Sequence, residues 1–327
     1  MKKLLLSLFI TLAAATLWAK QAEFKREINK NFAVSANASL SITNKYGNVN
    51  IIESDEGKIV FTIEITGKGK TAEIAKQYAE IISVDFKTAN NNVSAKTNIP
   101  GMKCSNCGIS VNYVVMVPRS VTMNFDLRYG NLTLNDTPKP LKVSIKYGTL
   151  NANEISDATI DTQYGNVKIN KCSELLLKSS YSNSDFNSIG NANINAKYGN
   201  FKIDKCKDIT INTQYSNIHI KNLENSIISD NTYGDLKIDN ISTNFSKIAA
   251  NGKFTNFFLG LNDKHNFKTE LSTSFGKINL SKIKISIDKQ IKETTKQEIM
   301  GVAGTLSNPK AEVKVSTSYG NINFNQK

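Results

Sequence analysis

Two groups of residues in the 327-residue sequence have types and spacing that chemistry uses. Asp204, Lys221 and Asp239 follow one another at steps of 17 and 18. In an elongated repeat such steps line up two carboxylates and an ammonium on one outer face, and carboxylate pairs of that kind cleave glycosidic bonds. A solvated ladder of ion pairs accounts for the same three residues more simply. Cys104 and Cys107 form a Cys-x-x-Cys inside Lys103-Cys-Ser-Asn-Cys-Gly108. Thioredoxin-type chemistry would need a βαβ frame around the pair, and zinc would need two more ligands close by. Neither is apparent, so the pair reads as a small structural disulfide. The only two histidines, His219 and His265, stand far apart. No Gly-x-Ser-x-Gly, phosphate-binding loop, dinucleotide fingerprint or His-Glu-x-x-His occurs, nor the calcium-binding nonapeptide of toxin-type β-rolls. These readings imply no enzyme, no cofactor and no metal.

The element that would position such residues is a short repeat. Aromatic residues followed by a small one recur at Tyr129, Tyr147, Tyr164, Tyr181, Tyr198, Tyr215 and Tyr233, in steps of 17 or 18. The series runs on through Phe254, Phe275 and Tyr319, and an outlying first copy stands at Tyr46. A fixed short period marks a solenoid. Counting from the aromatic residue, apolar side chains fill positions −6, −4, +3 and +5, alternating with polar ones as strands with one buried face require. The pattern predicts coils of about 17–21 residues stacked as parallel strands about 4.8 Å apart. The result is an all-β parallel solenoid with right-handed crossovers, on the order of 50 Å long.

The parity of the apolar positions changes across the aromatic-Gly-Asn mark, so these residues read as a structural corner. The aromatic residue is expected on the inward face with −6, −4 and −2, so that Tyr198→Ala costs several kcal/mol in lost packing. Asn131, Asn166, Asn200 and their equivalents at +2 suit an amide ladder from coil to coil, in residues that tolerate left-handed backbone. Ser182, Ser216 and Thr255 replace Gly at +1, so this position needs a small residue more than a left-handed one. Cys172 and Cys206 both fall at +8, two coils apart, beyond disulfide reach, and read as buried small hydrophobes.

Two segments break the period. Residues 58–66, 83–88, 93–97 and 109–117 read as strands, and 71–82 has helical spacing with Thr71 as N-cap. Together they form a strand–helix–strand cap over the first coil. Residues 282–317 carry strand signals at 283–287 and 311–316, with a Lys/Glu-rich stretch at 289–298 read as a short surface helix or a mobile loop. The chain then divides into a leader over 1–19, a first coil with its capping segment over 20–125, regular coils over 126–281, and an irregular coil and cap over 282–327.

Residues 1–19 read as a secretory signal, with Lys2 and Lys3 before an apolar run too short for a confident membrane span. Cleavage fits after Ala19, with Ala15 as the fallback. The chain has 41 basic and 28 acidic side chains, net +13. Losing Lys2 and Lys3 leaves 39 against 28, about +11. The lysines are spread rather than clustered, which argues against nucleic acid and leaves solvation, or attraction to an anionic glycan or surface. The expectation is an exported chain in the periplasm, on the outer surface or outside the cell, without a transmembrane anchor.

The Tyr-Gly-Asn coils behind a signal segment, with the strand–helix–strand block before the main array, resemble the putative adhesin family of bacterial envelope proteins over roughly residues 38–325. The family is a domain of unknown function, built as single-stranded β-helices similar to auto-transporter adhesins. The resemblance implies an envelope location and surface adhesion, and it supplies no catalytic residues. It points to a binding scaffold whose partner is a surface glycan or an envelope protein. A polysaccharide-active β-helix enzyme using Asp204 and Asp239, or a self-associating structural envelope protein, are the alternatives.

Overall fold

A computed structural model describes residues 21–101, 107–281 and 283–324. The leader over 1–19 and Cys104 lie outside the described residues. Every described strand belongs to one continuous 22-stranded sheet wound on itself, with one apolar core running its length.

The coil follows from where side chains are buried. In the coil of Tyr181 the inward residues are Leu175, Leu177, Ser179, Ser182, Ser184, Phe186 and Ile189, and Ala192 begins the next coil. Steps of two within each strand carry the alternation, and steps of three across Tyr181, after Phe186 and after Ile189 turn the chain. Successive coils pair in parallel and in register: Ile160 lies against Leu177 and Leu177 against Ile194, while Leu150 lies against Val167. Cys172 and Cys206 sit in the core beside Ile155, Ile189 and Leu223. Both are free thiols, and burial above all pushes each up to about 12.

The backbone corrects the expected corner in two ways. The left-handed residue is the aromatic one itself: all eleven have φ between 52° and 61°. None of the Asn residues at +2 has positive φ. A single left-handed residue reverses side-chain parity, so the ring turns outward and the next residue turns in. Ser182, Ser216 and Thr255 are accordingly buried, whereas most of the rings are exposed. The requirement at +1 is spatial. A Cβ on Gly199 would lie 2.0 Å from the Ser182 carbonyl oxygen of the coil before. Where serine stands instead, its hydroxyl bonds between coils: Ser182 Oγ accepts from Gly165 N–H at 3.1 Å and donates to Ser180 O at 2.8 Å.

At the N-terminal end, Ala22–Ala33 pairs antiparallel with Lys58–Gly69, which pairs antiparallel with Gly108–Pro118. The last of these joins Val49–Ser54 of the first coil in parallel. Asn92–Asn98 adds to Ser39–Lys45 in the same way and carries Ser83–Ala89 on its far side. Helix α1 (Ala72–Glu80) begins at Thr71, whose side chain accepts from Ile74 N–H. It lies so close to its strand that a Cβ on Gly67 would reach 2.0 Å from Ala75 O. Arg26 donates from Nε to Ala79 O at 2.9 Å, and also to Ile82 O, supplying donors to the end of the helix.

The C-terminal end departs from chain order. Glu312–Ser318 lies between Lys247–Lys253 and Phe267–Ser274, parallel to both. Ile322–Phe324 lies likewise between Phe257–Leu259 and Ile278–Asn279. The last coil is therefore inserted between the two before it. Residues 289–298 are neither helix nor loop. Ile285–Lys292 and Lys296–Ala303 form an antiparallel hairpin laid on Phe267–Ser274, with Glu298 bridging Lys289 at 3.2 Å and Lys296 at 2.7 Å. The alternation through Ile285, Ile287, Ile291 and Ile299 carried the strand signal that the charges obscured.

Candidate functional site

The left-handed corner places one ring per coil on the outside, and the coil spacing places each ring on the next. Tyr46, Tyr129, Tyr147, Tyr164, Tyr181, Tyr198, Tyr215, Tyr233, Phe254, Tyr319 and Phe275 form one file, with centroids 4.7–5.1 Å apart at every step. Ten steps give a file of roughly 50 Å. Neighbouring rings are within 6° of parallel along most of it, opening to 16° at Tyr46 and 12° between Phe254 and Tyr319. Apart from Tyr46 the rings are 38–58% exposed, which contradicts the expected inward position. Tyr46, separated from Tyr129 by the whole N-terminal block, stacks directly on it.

Because each ring covers its neighbours' faces, the file offers ring edges and phenol hydroxyls to solvent, not ring faces. A sugar or base that needs an open aromatic face finds one only at the ends, and at Tyr46 the Lys45 ammonium sits 4.6 Å from the ring centroid.

The amide ladder runs beside the file in two stretches, broken at Thr149 and at Asn166, whose side chain joins no such bond among the described residues. Asn131 Nδ2 donates to Asn48 Oδ1 at 3.1 Å, Asn200 to Asn183 at 3.3 Å, and Asn217 to Asn200 at 3.1 Å. It continues through Asp235, Asn256 and Asn321. Asn166 lines a shallow groove of about 340 Å³ on this flank, with Asn183, Asn200, Asn217, Lys168, Lys202 and Asp185. A second groove, about 470 Å³, follows the other flank past Ser180, Lys197, Gln214 and Thr232, with Asp230 in its wall. The file is thus a ridge between two troughs.

A larger groove of about 480 Å³ lies at another corner, along Asp157, Glu174 and Asp208. Two of these three carboxylates are engaged within the protein: Asn191 donates to Glu174 at 2.5 Å, and Asn225 to Asp208 at 2.6 Å. Its walls are therefore less free to bind than the aromatic ridge.

The carboxylates considered for catalysis fare differently from the expectation of a free pair. Asp239 accepts from His219 Nε2 at 2.8 Å and is bridged by Lys237 at 3.0 Å. Partial burial works to raise its pKa, but the His219 and Lys237 hydrogen bonds outweigh it and hold the carboxyl below the usual value. A carboxyl kept ionised in this way is a poor general acid. Two coil steps separate Asp204 from Asp239, about 10 Å, wide even for an inverting pair. His265 is buried, with Nε2 2.9 Å from Ile241 O. Among the described residues no group of three His, Cys, Asp or Glu is placed to hold a metal ion, and no helix is long and apolar enough to cross a membrane. Cys107 is disulfide-bonded.

The Toastrack DUF4097 family matches residues 37–325, and the chain belongs to it. No curated protein matches the sequence. Among solved structures, the chain is similar to a putative adhesin from Bacteroides fragilis NCTC 9343, at 11% identity and a TM-score of 0.41, over 92% of this chain and 97% of that one. A putative lipid binding protein from Parabacteroides distasonis ATCC 8503 matches at 13% and 0.38, over 70% and 94%. A putative adhesin from Parabacteroides merdae ATCC 43184 matches at 13% and 0.32, over 71% and 96%.

Proposed function

We propose that this protein is an exported, non-enzymatic binding scaffold of the cell envelope, which presents the aromatic ridge to a surface glycan or an envelope protein. The observation that carries the reading is the unbroken file of half-exposed rings between two grooves. A site for chemistry needs a few groups converging in a pocket, whereas this surface repeats one arrangement along its length. The leader over 1–19 supports export, and the engaged Asp239 counts against the enzyme alternative. The same reading takes the winding as right-handed. It also gives the N-terminal strand–helix–strand block over 20–125 the role of an end cap that shields coil edges from pairing with other chains.

The test is an array of envelope glycans and proteins probed with the purified full chain, beside a hydrolysis assay on the same glycans. Binding without turnover is the expected outcome. Hydrolysis that disappears in Asp204→Ala or Asp239→Ala would establish the enzyme instead.

A further inference from the structure

The residues directly before the rings form a row with several bases and no acid. The position before each ring is occupied, along the file, by Lys45, Arg128, Lys146, Gln163, Ser180, Lys197, Gln214, Thr232, Lys253, Ser318 and Ser274. Five are basic and none is acidic. Some lysines elsewhere on the coils are matched to carboxylates, Lys171 to Glu154 at 3.1 Å, Lys205 to Glu224 at 2.7 Å and Lys314 to Glu270 at 2.8 Å, while others such as Lys142, Lys168 and Lys202 are scattered and outside any ion pair among the described residues. No ion pair engages any of the five at the ridge among the described residues. On the other side of the rings, position +2 adds Lys277 and a single acid, Asp235, among amides and Thr149. From Lys45 to Lys253 the bases span eight coil steps, roughly 40 Å.

Resting on the scaffold reading above, we propose that the ridge binds a linear acidic polysaccharide, laid along the solenoid axis. Its carboxylates or sulfates would meet the five bases that no carboxylate engages, while its hydroxyls meet the phenol edges and the asparagine amides. Charge complementarity selects a polyanion. The covered ring faces argue against single-stranded nucleic acid, which binds such aromatic surfaces by stacking its bases on open faces. The one-residue width of the ridge suits a single polymer strand better than the plane of an anionic membrane.

The test compares the full chain with two five-site variants of equal charge change. One carries K45Q, R128Q, K146Q, K197Q and K253Q. The other removes ion-paired lysines away from the ridge: K25Q, K171Q, K205Q, K289Q and K314Q. Both are checked for an unchanged melt, then titrated with dextran sulfate, polygalacturonate, neutral dextran, single-stranded DNA and phosphatidylglycerol vesicles. The ridge variant should lose binding of both acidic polymers by roughly thirty-fold, with the second variant within a few-fold of the natural chain. Equal loss in both variants would reduce the effect to net charge and overturn the proposal. Ridge-dependent binding of DNA or vesicles in place of the polysaccharides would overturn the ligand class. Binding of neutral dextran, indifferent to the ridge substitutions, would overturn this inference and leave the scaffold reading standing. If neither these polymers nor any array ligand bound, both would fall.

Discussion

A tyrosine at φ 56°, as at Tyr198, is an unfavourable choice taken alone. Left-handed backbone costs an L-residue with a Cβ about 1–2 kcal/mol, and Asn or Gly would ordinarily fill the position. Stacking offsets the cost, since an aromatic contact contributes about 0.5–1.5 kcal/mol beyond the area it buries and each inner ring has two. Tyr198→Ala should lose both stacks and keep the strain, destabilising by about 2–3 kcal/mol. Tyr198→Gly removes more atoms yet relieves the strain, so it should melt above Tyr198→Ala by the equivalent of about 1 kcal/mol. Equal or lower stability of the glycine variant in denaturant titration would mean that the corner is not held left-handed. The ring period was legible in the sequence because it repeats. The outward turn of the ring was not, because alternation counts only parity, and a left-handed residue resets parity without leaving a compositional mark.

At the scale of elements, the C-terminal coil closes the array from inside it. Ala311, Val313, Val315, Ile322 and Phe324 are all buried between the coils of Phe254 and Phe275. Deleting residues 309–327 should remove more than about 5 kcal/mol of apolar burial and leave the edges of Lys247–Lys253 and Phe267–Ser274 unpaired. The shortened chain should melt lower and associate through those edges, as size-exclusion chromatography would register. A monomer with an unchanged melt would place the inserted coil outside the cooperative structure. Sequence spacing located the ring at Tyr319 but placed its coil last, in the irregular coil and cap over 282–327. Chain order carries no information about a strand that folds back between its predecessors. The strand Ala22–Ala33 escaped for a related reason. Arg26 and Lys30 interrupt its apolar alternation, and Arg26 stands there to serve the end of α1 rather than the sheet.

For the whole molecule, the same regularity that made the solenoid readable hid the exposed ridge proposed as its binding face. A repeat conserves each corner for folding, so the ridge could not be told from scaffold until its exposure and the pairing of its neighbours were known. The proposed role of the ridge predicts that lysines lined beside the rings respond to a bound polyanion differently from those tied to carboxylates elsewhere on the coils. Lysine acylation followed by peptide mass mapping, with and without saturating dextran sulfate, tests it most directly. Protection of Lys45, Lys146, Lys197 and Lys253, with Lys171, Lys205 and Lys314 left as reactive as in the free protein, is the predicted result. Protection spread evenly over all seven would contradict it.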